Sequence, residues 1–145
     1  MMYEKLNVRI ELSAKTTSIN PQIEVLLNQQ IIISKQEVNT NKVLEFDLSL
    51  EEDKEYNLIL DRTNHDGRNP QSLTFEKFYI DEIDLDKLLD ETYFYPLYPQ
   101  PWHTQQLQAG HDWPEAQKGW RQWGFNGRWI LKFSTPFYTW LLDNT

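Results

Sequence analysis

Alternation of apolar and polar residues with a period of two constrains the fold of this chain more than any other feature of its sequence. Leu6, Val8 and Ile10 share one face of a segment, while Asn7 and Arg9 share the other. This is the pattern of a β-strand with one buried face. Similar segments follow at residues 23–27, 44–50, 56–60, 73–80 and 129–133. A β-branched run at 31–33 lies between the first two of them.

The spacing of these segments predicts the fold class. We predict hairpins that join 23–27 to 31–33 and 44–50 to 56–60, because a short polar turn separates each pair. Short strands at this spacing favour an antiparallel β-sandwich of jelly-roll type over an α/β fold. The sequence therefore predicts a mainly β protein with at most one short helix, at 85–90, for which Asp84 is the expected N-cap.

Length and composition favour one domain over residues 1–145. A chain of 145 residues can bury roughly 70% of its unfolded surface without a metal or a disulfide. Its hydrophobic fraction of 39% is too high for a disordered chain.

Charges and aromatic rings divide the sequence after Thr92. Residues 1–92 carry 19 acidic and 10 basic side chains, whereas residues 93–145 carry 3 and 4. Of the 20 aromatic residues, 14 lie in the second part. Three prolines between residues 96 and 101 argue against a helix or a central strand. We therefore predict an acidic sandwich at 1–92 and an irregular, aromatic-rich arm at 93–145, with a strand that returns near 129–134.

This arm supplies the first set of candidate binding residues. In a polyproline II conformation Tyr95 and Tyr98 would lie on one edge, and tryptophan is enriched at the centres of protein interfaces. The rings could contact a protein partner or a second copy, stack on the apolar face of a sugar, or pack as a second small core. The candidate ligand-binding residues are Tyr95, Tyr98, Trp102, Trp113, Trp120 and Trp123.

The loop at residues 61–69 supplies the second set. Calcium takes about six to eight oxygen ligands, and loops rich in Asp and Asn provide them. The candidate metal ligands are Asp61, Asn64, Asp66 and Asp81. The alternative is that Asn, Asp, Gly and Pro simply form turns here, since the spacing does not match an EF-hand.

Residues in and after this loop resemble the layout of a known family. In chain order they are Asn64, Asp66, Arg68, Asn69, Leu73, Ile80 and Asp81. They resemble the Asp- and Asn-rich loop, strand and turn of calcium-dependent carbohydrate-binding modules of the xylan-binding type. The resemblance implies a β-sandwich, a calcium ion and a polysaccharide ligand; the sequence predicts no other cofactor.

A second resemblance covers most of the chain. The Tyr- and Pro-rich segment 93–102, the Gly127-Arg128-Trp129 stretch and the ending at 134–142 are similar to small proteins of tailed phages, in particular cyanophage-like ones. This resemblance implies a phage-encoded, virion-associated protein in the cytoplasm of the infected host or in the virion.

Several classes of function lack a matching sequence feature. The absence of cysteine excludes thiol catalysis and cysteine-type zinc sites, and the three histidines lack metal-ligand spacing. A net charge of −8 disfavours nucleic acid as a partner. No apolar run approaches the ~18 residues of a membrane span, and residues 1–5 do not resemble a signal peptide. We expect neither a membrane partner nor secretion through a signal peptide.

Three functions remain as hypotheses. The first is a non-catalytic binding or structural protein that contacts a protein partner, or a second copy of itself, through the arm. The alternative is a carbohydrate-binding module that uses loop 61–69 and exposed aromatic rings. The least favoured is a glycoside hydrolase with Asp81 and Asp84 as its carboxylate pair, because exposed acidic residues are common on protein surfaces.

Overall fold

The fold is mainly β, as predicted, and consists of two antiparallel sheets. A computed structural model describes residues 3–66 and 68–144. The strands are β1 (Tyr3–Thr16), β2 (Gln22–Leu27), β3 (Gln30–Glu37), β4 (Asn41–Glu51), β5 (Glu55–Thr63), β6 (Gln71–Ile80), β7 (Ile83–Asp84), β8 (Tyr93–Pro96), β9 (Gln117–Lys118), β10 (Gln122–Trp123) and β11 (Gly127–Ser134).

The chain passes repeatedly from one sheet to the other. The first sheet has the strand order β10-β6-β1-β4, with β7 paired to β6, and the second has the order β3-β2-β5-β11-β8-β9. The predicted hairpin from β2 to β3 is confirmed, with Leu26 paired to Ile31. The predicted hairpin from β4 to β5 is wrong, because β4 pairs with β1 while β5 pairs with β2 and β11.

The core lies between the two sheets and is built by the alternation described above. Leu6, Val8 and Ile10 of β1 are almost completely buried and face side chains of the second sheet. The ring of Trp129 on β11 lies 5.0 Å from the ring of Phe75 on β6. Burial of each large apolar side chain contributes about 1.5–3 kcal/mol relative to exposure, so this interlayer core is the main stabilising feature.

Residues 93–145 complete the sandwich rather than extend from it, which corrects the prediction of an appended irregular arm. They contribute β8, β9 and β11 to the second sheet and β10 to the first. The prolines did not prevent this, because Pro96 is the last residue of β8 and the next N–H, of Leu97, donates to the carbonyl of Asn126. The predicted returning strand is confirmed as β11.

The prediction of at most one short helix is wrong. Residues Asp86–Glu91 form a 3-10 helix, and two α-helices follow, α1 (Trp102–Gln108) and α2 (Phe137–Asp143). Both α-helices come directly after a proline, a residue that suits a helix start because the first N–H groups have no intrahelical partner. None of the helices in the described ranges is long and apolar enough to cross a membrane.

Candidate functional site

The outer surface of the second sheet carries a row of exposed side chains on β8. The register of β8 against β11 pairs Phe94 with buried Trp129, so Phe94 points inward and its neighbours point outward. Tyr93 and Tyr95 are each 40% exposed, and Leu97 is 68% exposed. We call these three residues the tyrosine face.

An apolar row extends from Tyr93 across the outer side of the second sheet. Cross-strand register pairs Tyr93 with Ile130, Ile130 with Ile59, Ile59 with Leu26, and Leu26 with Ile31. Leu26 and Ile59 are 9% and 7% exposed, yet neither belongs to the core cluster between the sheets. These five residues, which we call the outer row, therefore form an apolar band in which Leu26 and Ile59 are buried and the end members Tyr93 and Ile31 are exposed.

Charged side chains flank the outer row in balanced numbers. On one side the register aligns Glu24, Asp61 and Arg128, and Arg128 Nη2 lies 3.5 Å from Asp61 Oδ2. On the other side Lys132 is paired with Asn57. The outer side of the first sheet is charged across its middle, because β1 places Arg9 beside Glu45 of β4 and Glu11 beside Lys77 of β6. The outer row thus lies on the side of the sandwich whose centre is apolar.

Three of the predicted binding residues form a small aromatic cluster of their own. The ring centroids of Trp102 and Trp113 are 5.4 Å apart, and Phe125 lies 5.1 Å from Tyr98 and 5.3 Å from Trp102. The Tyr98 hydroxyl donates a hydrogen bond to the carbonyl of Pro114, and burial raises the pKa of this phenol. All four rings are half-buried, so they hold the segment 98–125 together.

The remaining predicted aromatic residues separate into one buried and one exposed tryptophan. Trp123 on β10 is 1% exposed, and its ring stacks on Phe94 with centroids 4.8 Å apart. Its indole N–H donates to the carbonyl of Trp120 at 2.8 Å. Trp123 is therefore a core residue, and its prediction as a ligand contact is corrected. Trp120 is 50% exposed.

The predicted calcium ligands do not come together. Asp61 pairs with Arg128, and Asn64 donates through its amide to the carbonyl of Asn20. The described residues include no group of three or more His, Asp or Glu side chains arranged to hold a metal ion.

Asp66 uses both of its carboxylate oxygens within its own turn. Oδ1 accepts the backbone N–H groups of Arg68 and Asn69, and Oδ2 accepts the side-chain amide of Asn69. The backbone hydrogen bonds from Asn69 and Arg68 lower the pKa of Asp66 to about 2. This arrangement matches the turn-forming alternative for the loop.

The rest of loop 61–69 is attached to a buried arginine. Arg62 is completely buried, and its guanidinium donates to the side-chain oxygens of Asn126 and Gln71 at 3.0 and 2.9 Å. Asn126 also accepts the backbone N–H of His65. Burial lowers the pKa of Arg62 to about 10, so the side chain stays charged at neutral pH. The hydrogen-bonding groups of the loop are thus largely committed to its own structure.

Asp81 and Asp84 occupy a tight turn. Asp81 and Glu82 have positive φ angles of 51° and 68°, as a two-residue hairpin between β6 and β7 requires. The Asp81 carboxylate accepts the N–H of Asn7 and the hydroxyl of Tyr138. Asp84 accepts the N–H of Asp86, but the N-cap of the 3-10 helix is Leu85, so the predicted N-cap lies one residue too early.

The sequence reasoning missed Leu97 of the tyrosine face and all five members of the outer row. One signal was present, since Tyr93, Tyr95 and Leu97 alternate with Phe94 and Pro96 in the period of a strand. Because of the nearby prolines, a polyproline II conformation was predicted here instead of a strand. The outer row itself has no linear signal, because its five residues come from five strands.

Comparisons with known proteins add no relative to this description. No protein-family model matches the chain, and no curated protein or solved structure matches it.

Proposed function

We propose that this protein is a non-catalytic binding protein that contacts another protein chain through the tyrosine face. The observation that carries the proposal is the orientation of Tyr93, Tyr95 and Leu97. They point outward from β8 and the residue after it, whereas the other rings of residues 93–145, apart from the exposed Trp120, pack inward or on one another. The setting implied by the phage resemblance, a virion or an infected cell, is part of the proposal.

Physical chemistry supports a protein partner at this surface. Tyrosine offers a large apolar ring, a polar hydroxyl and little side-chain entropy to lose, which is why it is enriched in interfaces. The adjoining outer row adds the half-buried Ile130 and the exposed Ile31 to the apolar side chains on this side of the sheet. The acidic and basic side chains beside it are balanced, so they add no like-charge repulsion at the contact itself.

Site-specific photo-crosslinking tests the proposal. Tyr95 is replaced by a photoreactive phenylalanine derivative, and the purified protein is irradiated alone and in a cell lysate. Tyr3 provides the matched control, because it is an exposed tyrosine at 58% on the first sheet. We expect protein adducts from position 95 at several times the yield from position 3.

Competition decides whether such adducts are specific. An excess of unlabelled wild-type protein should suppress them, whereas the variant Tyr93→Ser/Tyr95→Ser should not. Equal yields from positions 95 and 3, or equal suppression by both competitors, would refute a protein contact at the tyrosine face.

One observation favours a second candidate, a polysaccharide ligand. The rings of Tyr93 and Tyr95 lie 6.3 Å apart with an interplanar angle of 31°, an arrangement on which successive sugar rings could stack. Retention on insoluble polysaccharides tests it: the wild type and a Tyr3→Ser control should bind, and Tyr93→Ser/Tyr95→Ser should not. Absence of retention of the wild type excludes this candidate for the polysaccharides used.

A further inference from the structure

The outer side of the second sheet is complementary to itself. Consider two copies that meet face to face through this side of the sheet. Their twofold axis lies in the plane between them, parallel to the strands and midway between β5 and β11. Such an axis places each residue of β5 opposite the β11 residue with which it is paired in the sheet. Ile59 then faces the partner's Ile130, and the centre of the contact is apolar.

The same axis places opposite charges together. Asp61 is paired in register with Arg128, so each Asp61 would face the Arg128 of the other copy. Two acidic and two basic side chains then alternate around the axis, at a place where each copy already holds its own Asp61–Arg128 pair at 3.5 Å. On the other side of the apolar centre, Lys132 faces the amide of Asn57 and no like charge is opposed.

The exposed tyrosines also find partners in this arrangement. One strand further out, the axis places β2 opposite β8, so that Tyr93 faces Leu26 and Tyr95 faces Glu24. The ring of Tyr93, 40% exposed, thus lies over the apolar side chain of Leu26, which its own neighbours already bury to 9% exposure. The hydroxyl of Tyr95 lies opposite the Glu24 carboxylate, to which it can donate a hydrogen bond.

The outer side of the first sheet offers no apolar centre of this kind. Strand β1 presents Lys5, Asn7 and Arg9 there, and β4 places Glu45 and Asp47 beside Arg9 and Asn7. A face-to-face contact on that side would remove charged side chains from water across its middle, which is costly.

We propose that the occupant of this surface is a second copy of the same chain, held in a twofold dimer through the tyrosine face and the outer row. This inference rests on the proposed function, because it names the protein that the tyrosine face contacts. Each Tyr93 packs on the partner's Leu26, and the Asp61 and Arg128 pairs fix the register of the two copies.

Reciprocal charge reversal tests the arrangement. In a homodimer, Asp61→Lys places a second basic side chain opposite Arg128, and Arg128→Glu places a second acidic side chain opposite Asp61. Each variant alone should therefore dimerise at least about tenfold more weakly than the wild type. A mixture of the two variants allows a heterodimer in which opposite charges face each other again, and it should dimerise with near wild-type affinity. The measurement is sedimentation equilibrium of each protein and of the equimolar mixture, with thermal melts to verify folding.

Arg9 and Glu11 on the first sheet provide the matched control, since their side chains form an exposed pair at 3.5 Å. Arg9→Glu and Glu11→Lys should leave dimerisation unchanged, singly and mixed. A dimer that responds equally to both sets of variants, or whose mixture shows no recovery, would overturn the proposed interface.

The outcome separates this inference from the proposed function. A wild-type protein that stays monomeric in sedimentation overturns the dimer, while competed crosslinks from position 95 to a different protein would still uphold the protein contact. If the protein is monomeric and position 95 gives no specific adduct, both proposals fail.

Discussion

The most decisive prediction about residues 93–145 concerns the buried side chain of Trp123. Its replacement tests whether this part of the chain completes the sandwich. The ring is 1% exposed, stacks on Phe94 at 4.8 Å and meets Phe75 edge-on at 5.9 Å. A buried tryptophan removes roughly 200 Å² from water, which at about 25 cal/mol per Å² sets an upper bound near 5 kcal/mol. Measured Trp→Ala changes in cores are about 3–5 kcal/mol. We expect Trp123→Ala to lower the free energy of unfolding by about 4 kcal/mol.

Urea unfolding followed by far-UV circular dichroism measures this change, and the melting temperature should fall by roughly 10–15 °C for a chain of this size. Trp120→Ala is the matched control, since Trp120 is 50% exposed and its loss should change the free energy of unfolding by no more than about 0.5 kcal/mol. Trp123→Phe retains a ring against Phe94 and should lie between the two. Equal effects of Trp123→Ala and Trp120→Ala would refute the placement of β10 in the core.

Three further predictions concern the backbone and two polar contacts. Gly127→Ala should lower the free energy of unfolding by about 1–3 kcal/mol in urea titrations, because a Cβ there would lie 2.4 Å from the carbonyl oxygen of Tyr95; Gly124→Ala, with no atom within 4 Å, should have no such effect. Because the pKa of Asp66 is lowered to about 2, its hydrogen bonds should stabilise the fold above pH 4, and this contribution should disappear as the pH falls through 2. The fall in melting temperature of the wild type between pH 4 and pH 2 should therefore be larger than that of Asp66→Asn. Tyr138→Phe removes the hydroxyl that donates to Asp81 and should lower the free energy of unfolding by about 1 kcal/mol, measured in urea against Tyr3→Phe.

Local patterning allowed the long strands to be predicted from the sequence. The alternation at 6–12, 44–50 and 129–133 corresponds to β1, β4 and β11, because burial of one face of a strand imposes a period of two on the residues themselves. The short strands β9 and β10 have two residues each and were not predictable, since no period can be read from two residues. Hydrogen bonding to strands elsewhere in the chain stabilises them instead, β9 to β8 and β10 to β6.

The candidate site was only partly predictable, for a related reason. Tyr95 and Trp120 were identified as aromatic candidates and are exposed, but Trp123 has the same residue type as Trp120 and lies in the core. Whether a ring faces solvent depends on which strand covers it, and this is decided by pairing between distant segments. The candidate calcium ligands illustrate the same point, because β6 separates Asp81 from loop 61–69, and Asp61 and Asp66 have hydrogen-bonding partners of their own.

The sequence by itself determined that this protein is built of antiparallel strands, that its acidic charge lies mainly before Thr92 and that most of its aromatic rings lie after it. These properties are local, since each follows from residue type and from neighbours within a few positions. Only the tertiary structure decided that the aromatic segment completes both sheets and that Tyr93, Ile130, Ile59, Leu26 and Ile31 form one band. Register between β5 and β11 places Ile59 beside Ile130, 71 positions further along the chain, and the binding surface is a product of such pairing.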